Sequence, residues 1–283
     1  MRSNLDITRV TATLRAAMLT AAAALLLPAA ARSQDAVAVT ANPAAARVVQ
    51  GYVPKHYVPL SRRDFTGIWE NRGGIGWQQG IPPGRGQHAP LTPEYQRIFE
   101  THVANAAAGH PTGDPTAGCL PQGMPRIMTM TYPMEIMMNE RQVNIFAEWN
   151  GQTRRIFTDG RPLPPDDEVE ITFNGTSVGH WEGDVLVATT VGMRPETNLE
   201  SSGLPHSDVL TVKERLWLES DAVLKDEITL VDAKAYTKPW TVTKAYHRAA
   251  PGAELIEYVC LENQRNPIND KGEIGVILAP QKP

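Results

Sequence analysis

The feature that most constrains this chain is a succession of short alternating runs through its second half. Nine runs, at about 133–138, 142–149, 153–158, 176–181, 184–191, 208–219, 223–231, 239–248 and 254–262, are rich in β-branched, aliphatic and aromatic residues and are separated by turn chemistry. Asn150-Gly151 and Glu182-Gly183-Asp184 are hairpin signals, because their residues tolerate the positive φ that tight turns need. Connections this local make an antiparallel up-and-down meander. A twisted sheet of that many strands leaves two open edges unless it curls and closes, so the pattern predicts a mainly β protein built as a barrel.

The preceding segment adds one strand and one helix. Phe65-Thr66-Gly67-Ile68-Trp69-Glu70 reads as a short first strand, and "GGIGWQQGIPPGRG" after it is a loop by composition. It lacks the GK[ST] ending and the strand-to-helix setting of a phosphate loop. Thr92 and Pro93 open a helix to about 108, which Gly109, Pro111 and Gly113 end. Long loops and this helix, about 92–108, are therefore inserted near the N-terminus of a single barrel-like domain, 61–283.

Before that domain the chain reads as a delivery tag. Arg2, Arg9 and Arg15 precede an apolar run from Ala16 to Ala31, and Ala31-Arg32-Ser33 offers small residues at a cleavage site. A signal peptide over 1–33 with cleavage after Ser33 is expected, followed by an extended Ala- and Pro-rich lead-in over 34–60 and a periplasmic or secreted location. The tag carries most of its charge as arginine, so its removal leaves a chain more acidic than the −4 of the whole. That balance excludes a nucleic-acid partner, and no later run is long enough to span a bilayer. Cys119 and Cys260 are the two cysteines. An even pair in an oxidising compartment reads as a disulfide, with two buried thiols as the alternative.

A charge interrupts the apolar alternation in the longest run. Leu210, Val212, Glu214, Leu216 and Leu218 share one face, and Leu224, Asp226, Ile228 and Leu230 repeat the pattern in the next run. A three-residue loop, Ser220-Asp221-Ala222, registers the faces by pairing Leu216 with Asp226 and Glu214 with Ile228. The carboxylates then become diagonal neighbours roughly 7–8 Å apart at their backbones. Two buried carboxylates do not both ionise cheaply: either one keeps a proton, as acid/base catalysis needs, or each takes a cation. Arg155, Arg154 and Lys244 are available as cations.

Around this pair the sequence offers several further candidates. His206, beside Ser207 and Asp208, is placed on a rim loop as a partner for Glu214, with turn hydrogen bonding as its plainer role. Tyr236, Lys238 and Trp240 suit an aromatic ligand, and His180 and Met137 are further candidates for its wall, against ordinary packing beside Trp181 and among neighbouring methionines. The histidines lack the local spacing of a metal motif, so no metal and no cofactor is expected. There is no GxSxG elbow and no strand-GxGxxG-helix unit, which argues against nucleophilic hydrolysis and dinucleotide binding.

Gly67 and Trp69 in "FTGIWE", followed by the meander, resemble the Gly-x-Trp first strand of lipocalin-like (calycin) barrels, where the Trp closes the barrel bottom. The helical insertion departs from the simple lipocalin plan. "CLPQGMPR", "RRIFTDGRPLPPD", "VGHWEGDVLV", "PHSDVL", "AYTKPWTV" and "EYVCLEN" resemble segments of a widespread, uncharacterised family of exported bacterial proteins, which implies export and fold rather than a reaction. The expected function is binding of a small hydrophobic or aromatic molecule in a barrel cavity and its conversion by cofactor-independent acid/base chemistry, as a lyase or isomerase. In that scheme Glu214 and Asp226 supply the acid and base, His206 assists at the rim, and Arg155 stabilises developing negative charge. The alternative is a non-catalytic periplasmic ligand carrier.

Overall fold

The computed structural model describes residues 59–109 and 114–263. The expected signal peptide and nearly all of the lead-in lie outside these residues. Nine strands close into one barrel in sequence order: β1 (Gly67–Asn71), β2 (Met134–Met138), β3 (Gln142–Ala147), β4 (Gln152–Phe157), β5 (Thr176–Glu182), β6 (Val185–Val191), β7 (Thr211–Ser220), β8 (Val223–Val231) and β9 (Trp240–Arg248). The helix α1 (Pro93–Ala107) sits between β1 and β2 and buries only Phe99. The mainly β, meander-like barrel with one inserted helix is thus the architecture the alternating runs specify.

Closure follows from β9 pairing back onto β1, with Trp69 opposite Arg248. No sheet edge remains for the run at 254–262, which was expected as a further strand. That segment instead carries a 3-10 turn at Cys260–Asn263. Its Tyr258 ring packs against Tyr132 and Trp149, and the Ile256 N–H donates to Glu148 Oε2 at 3.1 Å. Cys260 is bonded to Cys119 with Cα atoms 5.5 Å apart, so the disulfide reading holds and the two-thiol alternative does not.

The β4–β5 junction departs from the antiparallel plan. These strands run parallel and share only two registered pairs, Ile156 with Ser177 and Phe157 with Val178, because residues 158–175 cross from one barrel end to the other. Every other neighbouring pair is antiparallel. Hairpins at 139–141, 183–184 and 221–222 are short and lie at one end, whereas the long connections 72–92, 192–210 and 232–239 cover the other. Near the short-loop end Trp69 is fully buried. Its indole donates to Phe65 O at 2.8 Å, and the Arg248 guanidinium lies 4.2 Å from its ring.

In β7 and β8 the register is the expected one: Leu218 faces Leu224, Leu216 faces Asp226, Glu214 faces Ile228 and Val212 faces Leu230. The turn differs by one residue. Ser220 pairs with Val223 after a shift between Leu218 and Ser220, so Glu219 is a bulge and the loop is Asp221-Ala222 alone.

Candidate functional site

Alternation along four strands drives four ionisable side chains into the barrel. Arg154 on β4, Glu214 on β7, Asp226 on β8 and Lys244 on β9 each occupy an inward position, the last three between apolar neighbours and Arg154 between Gln152 and Ile156, and none is more than 1% exposed. Ile136, Ile145, Ile156, Leu186 and Ile228 around them have no exposed surface, so side chains fill the barrel at this level.

Arg154 and Glu214 form a complete pair. Arg154 donates to Glu214 Oε1 from Nη1 at 2.8 Å and to Oε2 from Nη2, while Nη2 also reaches Thr190 Oγ1 at 3.2 Å. Such a two-pronged guanidinium–carboxylate contact is the arrangement that best offsets the cost of burying both charges. The Arg154 Nε–H has no partner among the described residues.

Asp226 is different. Its Oδ1 has no partner among the described residues, and its Oδ2 lies 3.5 Å from the Tyr246 hydroxyl. That hydroxyl has one proton, which it also directs to Met128 O at the shorter distance of 2.8 Å, so the bond Asp226 receives from it is a weak one. Burial first, and then the Glu214 charge, push the Asp226 carboxyl well above its usual range, with Arg154, Tyr246 and Lys244 opposing. Across the β8–β9 register stands Lys244. Burial lowers its ammonium from the ordinary 10.5 to about 8, with Asp226 opposing. Carboxyl and amine are therefore pushed toward each other.

The loop after β1 roofs this pair. Lys244 Nζ donates to Gly76 O at 2.7 Å and lies 5.6 Å from the Trp77 ring. The Trp77 ring stacks at a tilt on Trp240 with centroids 6.0 Å apart, and Trp240 meets Tyr236 at 6.1 Å. Gly76 is required: a Cβ there would lie 1.9 Å from the backbone oxygen of Ile81. Gln79 Oε1 accepts from Ala245 N at 3.0 Å, tying the loop to the β9 edge that the short β1 leaves uncovered.

Of the residues singled out in the sequence, the structure brings Glu214 and Asp226 together as neighbours on the inner face. It places Arg155 on the outer face of β4, exposed, so the cation on Glu214 is Arg154. His206 is buried rather than standing open at a rim. Its ring contacts Thr197 Oγ1 at 2.8 Å and Ser207 O at 2.9 Å, no hydrogen bond joins it to Glu214, and burial lowers its pKa from 6.5. Tyr236 donates to Pro205 O at 2.9 Å and packs with Trp240, but Lys238 is exposed and the three form no common wall. His180 points outward beside Glu182 at 3.3 Å, and Met137 is on the exposed side of β2. Trp77 and Tyr246 were not anticipated. Inward parity with Lys244 marks Tyr246, whereas nothing in a Gly-rich loop marks Trp77 as an internal residue.

Among the described residues no cluster of three or more His, Cys, Asp or Glu could hold a metal ion, and no helix is long and apolar enough to cross a membrane. In comparisons with known proteins, no family model and no curated protein matches the chain.

Proposed function

We propose that this protein is an exported, lipocalin-like barrel that binds a small hydrophobic or aromatic molecule and moves a proton on it, in the manner of an isomerase or lyase, through Asp226 and Lys244. The observation that carries this reading is Asp226 itself: a fully buried carboxyl, one oxygen of which has no partner among the described residues, facing a lysine whose ammonium is lowered to about 8. Groups tuned toward the working pH are the ones that exchange protons efficiently, and a dry site strengthens their action. The disulfide supports an oxidising location.

The residues divide the work as follows. Lys244, as free amine, removes a proton from the ligand, and Asp226, as carboxylic acid, delivers one to the ligand's other end. Return of the proton from the lysine to the carboxylate restores both. Glu214, whose two oxygens are taken by Arg154, does not act as the base; its charge raises the proton affinity of Asp226. The ligand takes the place of Trp77 over Lys244, which requires the Gly73–Gly80 stretch to release its carbonyl from Nζ.

Native mass spectrometry of the exported protein, taken from its own periplasm, identifies the bound molecule. Incubation of that molecule with the protein in deuterated water then reads the chemistry. Wild type is expected to exchange an acidic C–H at least a hundredfold faster than Asp226→Asn, with both retaining the ligand; equal rates would sink the catalytic reading. The Arg154–Glu214 pair, complete without a ligand, favours the second reading, a carrier, which predicts bound ligand and no exchange by either protein.

A further inference from the structure

A second feature lies outside the barrel wall, at the β4–β5 seam. Two registered pairs hold these strands together, and towards the N-terminal end of β4 they part into a groove of about 410 Å³. Thr153, Arg155 and Phe157 line it from the outer face of β4, and Phe173 and Asn174 line it from the chain entering β5. Gln152 closes its inner side. This glutamine is only 7% exposed, yet neither its Oε1 nor its Nε2 has a partner among the described residues. Asn174 Oδ1 is also unpartnered there, although its Nδ2 donates to Thr153 O at 3.1 Å. Buried amides left open in this way are costly, and three such atoms around one groove mark a place where a ligand supplies the missing bonds.

The lining defines that ligand. Arg155 is the one charged residue in the groove, no carboxylate lines it, and Arg155 makes no ion pair among the described residues. Two guanidiniums rest on the rings at its border: Arg161, itself paired with Asp159, lies 3.8 Å from the Phe157 ring, and Arg194 lies 5.0 Å from the Phe173 ring. The lining therefore carries one positive charge, Arg155, and sets the Phe157 and Phe173 rings among threonine, asparagine and glutamine side chains. A single guanidinium fork beside an amide N–H matches the two oxygens of a carboxylate, and the phenyl rings offer apolar area that phosphate or a polyol leaves uncovered. We propose that this groove binds a small aromatic carboxylate, its ring against Phe157 and Phe173 and its carboxylate shared between Arg155 and the Gln152 amide. The site does not depend on proton transfer at Asp226.

The test uses the full-length, disulfide-bonded exported protein and benzoate as the probe. Calorimetry is expected to show saturable benzoate binding, with benzyl alcohol, acetate and inorganic phosphate each binding at least tenfold more weakly. Backbone NMR shifts on benzoate addition are expected to concentrate at 152–157 and 172–177. Arg155→Gln, a change on an exposed face, is expected to weaken benzoate at least tenfold, as is Gln152→Leu. Asp226→Asn is expected to leave benzoate binding unchanged, which separates a failure here from a failure of the interior chemistry. No benzoate binding, shifts centred elsewhere, wild-type affinity in Arg155→Gln, loss of affinity in Asp226→Asn, or tighter binding of phosphate would each overturn the proposal.

Discussion

At the scale of single residues, the two carboxylates on one apolar face have separate fates. The prongs of Arg154 take both oxygens of Glu214, and that makes Glu214 a member of a buried ion pair. Removing one partner strands the other charge in the core. Glu214→Leu is therefore expected to lose about 3–5 kcal/mol, and joining it with Arg154→Met to recover most of that loss. Urea unfolding of the two single variants and the double variant at neutral pH measures this; a Glu214→Leu protein more stable than wild type would contradict it. Sequence parity identified both carboxylates as inward, because the alternation on each side of them is long and apolar. The choice of Arg155 as the cation beside them was wrong, since Arg154 fills that place. Gln152-Arg154-Ile156 and Thr153-Arg155-Phe157 each mix two polar residues with one apolar residue, so hydrophobic pattern alone gives no preferred face for β4.

The elements show where local pattern suffices and where it does not. The β7–β8 register was legible because an odd-length loop is the solution that keeps both apolar faces together, and the Glu219 bulge reaches the same register with a shorter turn. The parallel β4–β5 junction was not legible, since residues 158–175 carry no periodicity to say which end of the barrel they reach. The run at 254–262 alternates as a strand does, but closure of β9 on β1 had consumed the last edge. Composition marks 73–90 as a loop without saying that it turns Trp77 inward. Trp77 is wholly buried between Lys244 and Trp240. Trp77→Ala is expected to cost about 3–5 kcal/mol and to admit water over the lysine, so that the Lys244 ammonium titrates above its present value of about 8. Nitrogen-detected NMR of the lysine side chain reads that shift; a Lys244 that titrates unchanged in Trp77→Ala would show that the indole does not keep the site dry.

For the whole molecule, closure sets the surroundings of the inward charges. Nine strands close the barrel, and the inward positions around Asp226 exclude water. Burial, more than any one neighbour, is what pushes the Asp226 carboxyl well above its usual range. The consequence for stability has a definite sign. The folded state keeps the Asp226 proton to a higher pH than the unfolded chain, whose carboxyl titrates near 3.8. The stability that Asp226 contributes is thus fully present below pH 3.8 and is lost as pH rises through the folded value. Lys244 acts in the other direction, restoring stability as pH climbs from about 8 towards 10.5. Carbon-detected NMR titration of the Asp226 side-chain carboxyl, assigned by its disappearance in Asp226→Asn, tests the central claim most directly: a carboxyl that keeps its proton well above pH 3.8 is the predicted result, and one that ionises near 3.8 would contradict it.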